Sequence, residues 1–485
     1  MEKGAILILC FEFNCSNDGA ILAFFLDFWA KKSALKYSIT KENRSVKLYV
    51  KGDEKELAKF SDEFISKVPS SIFIQESKVE LAENLPDSSE FEFDFSYKNI
   101  TPYSLESGVN EFGFGIDNEI IKRGIDDILG GKKFIYDGYE IGKFDSFDAD
   151  YLVPTNLKNA AMIFVCDEKS LIALASFEKP IINLKINAIY RSNHKEAPLY
   201  FDIRSAWDIN IYEIAKVLND RGIKFLAIKT LKKDIKISFL DERILVIESG
   251  EFLSAKKRDY INSFSDKNYA LFGLCVSELN LANSTIARVF LSKNSKDFIK
   301  VYKDNDEFDM LKIELPKSFE EIWDRIAEFD GGDKLLANFK SKYPLPQGKI
   351  YFKDNFYSLF MIIDQILDYK SQILNYARDY SGLKGVRIDF KMSSKSEFDW
   401  ARAIRSTMSF KLAGADSKNI SFGCLESLAF FLSDFGDILK DELGVKNMLF
   451  GGSLFENPVI ANLALKFCNS NYKSEFSGCY PLEIS

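Results

Sequence analysis

Histidine is almost missing from this chain: among 485 residues there is one, His194. Zinc sites built from several imidazoles, paired-histidine metalloprotease chemistry and most histidine-based triads are thereby excluded or hang on that residue, because each needs imidazole as ligand or base. His194 lies in YRSNHKEAP, a polar stretch that reads as an exposed loop. The seven cysteines, Cys10, Cys15, Cys166, Cys275, Cys424, Cys468 and Cys479, are odd in number and scattered, with no C-x-x-C among them. Buried free thiols are the expectation, not a disulfide framework. There is no excess of positive charge: 64 Lys and Arg stand against 72 Asp and Glu, interspersed, for a net charge of -8. Such a balance gives no field that would gather nucleic acid or an anionic membrane. No uninterrupted apolar run is long enough to span a bilayer. The opening MEKGAILILCFEFNCSNDGAILAFFLDFW has the flavour of a leader, but Glu12, Asn14, Asn17 and Asp18 break its apolar core and no small-residue cleavage site follows. A cytoplasmic protein without membrane insertion is expected.

What is present is ordinary globular composition, 46% hydrophobic and 28% charged, over a length that suggests three or four domains. Near the N-terminus, AILILCFEF, LKYSIT, SVKLYVKG and SIFIQESKVEL read as strands, with AILAFFLDFWAKKSAL and EKELAKFSDEFISKV as helices between them. Strand, helix, two strands, helix, strand is the ferredoxin-like plan. Residues 82–111 are polar, acidic and aromatic, carry Pro86 and Pro102, and show no period, so they read as a connector. Its segment FEFDFSY suits a partner-binding surface or a buried edge strand. From residue 112 to about 240 helices and strands alternate, with KKFIYDG, AAMIFVCD and PIINLKINAIY expected as strands and EKSLIALAS and IYEIAKVLND as helices. Residues 241–485 make a third unit.

The most informative stretch is GVKNMLFGGSLFENPVIANLAL, Gly444 to Leu465. Gly444 suits the stop of the long helix before it, and VKNMLF suits a strand. Gly451 and Gly452 permit a sharp turn, Asn457 is a good N-cap and Pro458 fits a first helical turn. A strand, glycine turn and capped helix present free N–H groups and a positive dipole end, the physical requirement for holding a phosphate. Alone the signal is weak, since every helix needs a cap, and no G-x-x-x-x-G-K loop accompanies it. EFGFGIDNE, with Gly113 and Gly115, lacks a third glycine and a preceding strand. Asp330 to Asp333, DGGD, reads as an acidic turn between helices, and Arg204 with Asp208 as a surface pair.

These pieces, in this order, resemble the HypF family, carbamoyltransferases that supply the cyanide ligands of nickel–iron hydrogenases. The resemblance rests on FGGSLFEN (450–457), similar to that family's S-G-G-V-F-Q-N nucleotide loop, on residues 130–185, and on SVKLYVKGDEKELAKF near the N-terminus. It implies an α/β and α+β multidomain protein. Residues 1–81 would be an acylphosphatase-like ferredoxin-fold domain, 82–111 a connector, 112–240 a YrdC-like domain and 241–485 an ASKHA-type, TsaD-like domain. It also implies residual nucleotide-binding positions at Gly451, Gly452, Ser453 and Asn457.

The departures are as telling. Ala23 stands where the acylphosphatase arginine belongs and Lys41 near its asparagine, so that site lacks its electrostatic basis. The zinc fingers are absent, replaced by the connector. Lys158 is all that remains of the basic stretch of the YrdC-like unit. The histidine pair of the last domain has no counterpart, Ser453 replaces the second loop glycine, and the tail GCYPLEIS replaces the family's aspartate and Gly-Gln ending. The expectation is a degenerate member in hydrogenase maturation, with no catalytic residues, no metal and no certain cofactor. ATP with magnesium is the remaining candidate ligand. Its partners are expected to be hydrogenase subunits or hydrogenase maturation proteins, and the rival reading is an active ATP-dependent carbamoyltransferase.

Overall fold

A computed structural model describes residues 5–42, 44–90, 93, 95–241, 243–304, 306–394, 396–469 and 473–484. Period-two alternation near the N-terminus builds an antiparallel sheet of β1 (Leu7–Cys15), β2 (Lys36–Glu42), β3 (Ser45–Gly52) and β4 (Ile74–Leu81), ordered β2-β3-β1-β4. Val46, Leu48 and Val50, two residues apart, point to one face and are fully buried. The helix Ala20–Ser33 lays Leu22, Ala23, Leu26 and Ala30 on that face, and the helix Glu54–Glu63 adds Leu57 and Phe60. Asp53 and Glu56 close a capping box that starts the second helix.

A mixed eight-stranded sheet follows: β5 (Phe134–Tyr136), β6 (Tyr139–Lys143), β7 (Tyr151–Pro154), β8 (Ile181–Lys185), β9 (Tyr200–Ile203), β10 (Phe225–Thr230), β11 (Ile235–Phe239) and β12 (Ile244–Ser249). Their order is β12-β11-β8-β9-β7-β10-β6-β5. Three expectations fail here. PIINLKINAIY is a strand only over Ile181–Lys185, and Ala188–Asn193 form a helix. AAMIFVCD is not a strand: residues Ala160–Ile163 form a helical turn, with Ala160 and Ile163 buried and Met162 and Val165 more than half exposed. A short apolar run does not reveal its period, and the strand of this region is β7 instead. Nor do Arg204 and Asp208 form a surface pair. Arg204 is buried and meets Asp234 at 2.9 Å, while Asp208 caps the helix Ile209–Asp220 by accepting from Ile211 N.

Among the described residues of 82–111 there is one short helix, Pro102–Ser107. Phe91, Glu92 and Asp94 of FEFDFSY lie outside the described residues. The described aromatics of that segment form no strand: Phe93 stacks on Phe24 at 4.6 Å, Phe95 on Tyr97 at 6.1 Å, and buried Tyr97 on Phe252 at 5.1 Å.

The third sheet holds β13 (Ile286–Phe290), β14 (Phe298–Lys303), β15 (Asp306–Asp309), β16 (Asn447–Gly451) and β17 (Lys473–Glu475), ordered β15-β14-β13-β16-β17. Its main core contains Ala287, Val289, Met448 and Phe450 with apolar residues of the helices Phe356–Leu367, Trp400–Leu412 and Ser417–Leu443. Gly444, at φ 75°, ends the last of these, because a residue with a Cβ is strained there. Asp330 to Asp333 form the turn into the helix Gly332–Lys340. By contact density the chain makes two compact units, Met1–Ile237 with Glu248–Ser254, and Ser238–Ile247 with Ala255–Ser485. Among the described residues no helix is long and apolar enough to cross a membrane.

Candidate functional site

β13 and β16 are parallel and in register, Phe290 opposite Gly451, so the loops that follow them emerge side by side at the carboxyl edge of the sheet. That edge is where open α/β sheets bind ligands. Gly452 there adopts φ 98°, and a Cβ on it would stand 2.2 Å from the Leu291 carbonyl oxygen. Glycine is demanded at this position by backbone contact as well as by conformation. The chain then runs through a short 3-10 turn to Asn457, whose side chain accepts from Val459 N at 3.0 Å and donates to Leu374 O at 3.2 Å. Both ends of that amide are spent inside the fold. Pro458 opens the helix Pro458–Cys468, as its fixed φ allows.

The two loops form a cradle of hydrogen-bond donors, and the chain's own tail fills it. Glu483 accepts from Ser453 N at 2.9 Å, from Ser292 Oγ at 2.9 and 2.8 Å, and from Ser295 Oγ at 3.3 Å. Backbone N–H and serine hydroxyls converging on a point are what a phosphate oxygen requires; here they hold a carboxylate. Ser453 Oγ is committed too, accepting from Lys293 N at 2.9 Å. Lys293 Nζ pairs with Glu456 at 2.6 Å, and Lys353 Nζ donates to Asn294 O. Beneath them, buried Asp297 accepts from Ser292 N at 2.6 Å and Phe356 N at 2.7 Å. Burial pushes its carboxyl well above the usual range, the two N–H groups oppose that, and the charge of Glu483 adds to it. Three carboxyl groups, Glu456, Glu483 and Asp297, thus stand at these loops, where Lys293 is paired with Glu456 and Lys353 with a backbone carbonyl. A polyphosphate does not fit this set while Glu483 is in place.

The N-terminal loop is closed in a similar way. Asn17 Oδ1 accepts from Gly19 N at 2.9 Å and Asp18 Oδ1 from Ala20 N at 3.1 Å, so the first donors of the helix serve its own polar side chains. Ala23 is fully buried in that helix and Lys41 lies on β2. Lys158 sits in a 3-10 turn, and Lys179, in the same unit, is buried with its pKa lowered by desolvation to about 8. His194 is exposed; its ring stacks on Tyr190 at 4.0 Å and its Nδ1 lies 3.0 Å from Tyr190 O. The imidazole pair of a HypF-type metal centre is therefore not available. Among the described residues no three His, Cys, Asp or Glu side chains gather to hold a metal. Glu483 is the site residue that sequence reasoning missed: it lies 30 residues from Ser453 and 191 from Ser292, and no local motif marks it.

No family model matches the chain. It is 23% identical over 373 residues to Protein HydE of Wolinella succinogenes, a match covering 68% of this chain and 66% of that protein, just under two thirds of its length. Two solved structures superpose along nearly the whole chain. A full-length HypF in a phosphate- and nucleotide-bound form gives a TM-score of 0.58 at 10% identity, covering 99% of this chain and 96% of that one. HypF of T. kodakarensis gives 0.64 at 9% identity, covering 97% and 95%. The fold is HypF-like, mixed α/β and multidomain, as the sequence resemblance implied.

Proposed function

We propose that this protein is an accessory factor of nickel–iron hydrogenase maturation that binds protein partners, hydrogenase subunits or other maturation proteins, on a HypF-like scaffold that has lost carbamoyl transfer. Similarity to HydE and to the HypF fold supports the pathway. The loss of chemistry rests on one observation: the donors that would cradle phosphate hold the Glu483 carboxylate. Gly452 and Asn457 remain because the fold needs them, one against the Leu291 backbone and one as a cap.

The second reading is a working ATP-dependent carbamoyltransferase in assembly of the NiFe(CN)2CO cofactor. The retained loop of Gly451, Gly452, Ser453 and Asn457 favours it, and it requires Glu483 to leave the cradle when nucleotide arrives. Deletion of the gene, followed by complementation with wild type and with Asn457→Ala, separates these. The scaffold reading expects hydrogenase activity to fall on deletion and to return with both forms, provided the variant accumulates normally. Return with wild type alone favours the enzyme. Normal hydrogenase activity and subunit processing in the deletion strain contradict both.

A further inference from the structure

The sheet of β1 to β4 has two edges, and the chain treats them differently. At β2, Ser88 and Ser89 cover the edge: Ile39 N donates to Ser88 Oγ and Lys41 N to Ser89 Oγ, each at 3.2 Å, and Ser89 N donates to Ile39 O at 2.8 Å. At β4 no described residue does the same. Ala82 N donates to Ile8 O at 2.9 Å, which fixes the phase of the β1–β4 ladder. Backbone groups alternate in direction along a strand, so Glu76, Lys78 and Glu80 turn theirs toward β1 while Ser77, Val79 and Leu81 turn theirs outward. No hydrogen bond from a described residue reaches that outward set. The side chains are open as well. Val79 stands opposite Phe11, on the face that carries the helices, yet it is 57% exposed and Leu81 67%. On the other face Lys78 Nζ meets Glu12 at 2.9 Å and lies 3.8 Å from Glu80, which is more than half exposed.

An uncovered edge of eight residues is a template for another strand, and natural sheets usually blunt such edges. We propose that β4 pairs antiparallel with β4 of a second copy of this chain, about a two-fold axis through Val79, joining two four-stranded sheets into one. In that register the outward groups of Val79 meet those of the partner's Val79, and those of Ser77 meet the partner's Leu81. The open N–H and C=O groups then satisfy one another. Lys78 stands directly opposite the partner's Glu80, and Glu80 opposite the partner's Lys78, at the positions where facing side chains come closest. The charge order Glu76, Lys78, Glu80 is what selects a second copy as the occupant, because run antiparallel against itself it brings opposite charges together. Val79 and Leu81 of both copies meet on the helix-bearing face, which removes their apolar surface from water. Since Ser88 and Ser89 close the edge at β2, the pairing ends at two copies and does not run on as a fibre.

Sedimentation velocity of the full chain from about 1 to 200 µM tests this, since a joint of this size makes a weak association. A monomer–dimer equilibrium within that range is expected. Val79→Pro removes an outward N–H that the monomer does not use, and should weaken dimerisation at least about tenfold. Glu80→Lys and Lys78→Glu, each alone, set like charges opposite one another and should weaken it by a similar factor. An equimolar mixture of the two restores both opposite-charge contacts and should recover the dimer, which a merely destabilised variant cannot do. A chain that stays monomeric at about 200 µM overturns the proposal and leaves the edge to a strand of another protein. A dimer that Val79→Pro leaves as tight as wild type overturns it too, as does a mixture of folded charge variants that associates no better than either alone.

Discussion

Replacing Glu483 by alanine empties the cradle at the carboxyl edge of β13 and β16. The carboxylate has two close donors, Ser453 N at 2.9 Å and Ser292 Oγ at 2.8 Å, and a weaker one in Ser295 Oγ at 3.3 Å. A hydrogen bond to a charged group contributes about 1.5–3 kcal/mol, so the two close ones set a ceiling of roughly 3–6 kcal/mol. Two effects reduce this. The site is only half-buried, so water can replace the lost acceptor, and buried Asp297 is relieved of a neighbouring like charge. A net loss of about 2 kcal/mol is expected, a fall in melting temperature of roughly 4–8 °C for a unit of this size. Inorganic phosphate provides the second half of the assay. With Glu483 present, phosphate should leave the melting temperature unchanged; in Glu483→Ala it can meet the freed donors and restore part of the loss, since a ligand of the folded state raises apparent stability. Glu483→Gln, which keeps the shape and one acceptor oxygen, should fall between the two. Either an alanine variant that melts within about 1 °C of wild type, or phosphate that stabilises wild type as much as the variant, would refute the reasoning.

Three further outcomes follow from buried groups. Gly452→Ala places a methyl 2.2 Å from Leu291 O at φ 98°, and should destabilise by more than about 3 kcal/mol in a urea titration, with or without nucleotide. Asp234→Ala strands Arg204, which also donates to Lys179 O at 2.9 Å and lies over Trp207 at 4.7 Å, at an expected cost of about 3–5 kcal/mol by the same measurement. Lys179→Met should stabilise at neutral pH. Desolvation lowers the lysine from 10.5 to about 8, so its charged form is penalised in the folded state below pH 8 and carries no penalty above 10.5. The gain is up to about 3 kcal/mol at pH 7, less the lost bond to Ala175 O, and should shrink as denaturation is repeated at rising pH.

What could be read in advance was whatever has a local cause. Val46, Leu48 and Val50 announce a one-sided strand by spacing alone, and Gly444, Asn457 and Pro458 announce helix ends because each suits one backbone position. AAMIFVCD failed because an unbroken apolar run, Ala160 to Cys166, fits a strand and a helical turn alike, and tertiary contact chose the turn. Arg204 and Asp208 looked like a helical surface pair at spacing four, yet Arg204 lies outside the helix and its partner is 30 residues away. The cradle was legible only in part: the glycine turn and cap carry a local signal, whereas its occupant comes from the tail and is specified by the fold alone. Departures from family residues suggested lost chemistry without showing what stands in its place.

The central claim is that the nucleotide loop persists as structure and not as a binding site. Calorimetric titration of the purified protein with ATP and magnesium, with and without carbamoyl phosphate, tests it most directly when run beside Asn457→Ala. The account predicts no saturable heat at millimolar nucleotide for either protein. Saturable binding to wild type that Asn457→Ala loses would contradict it, and would mean that Glu483 yields its place to phosphate.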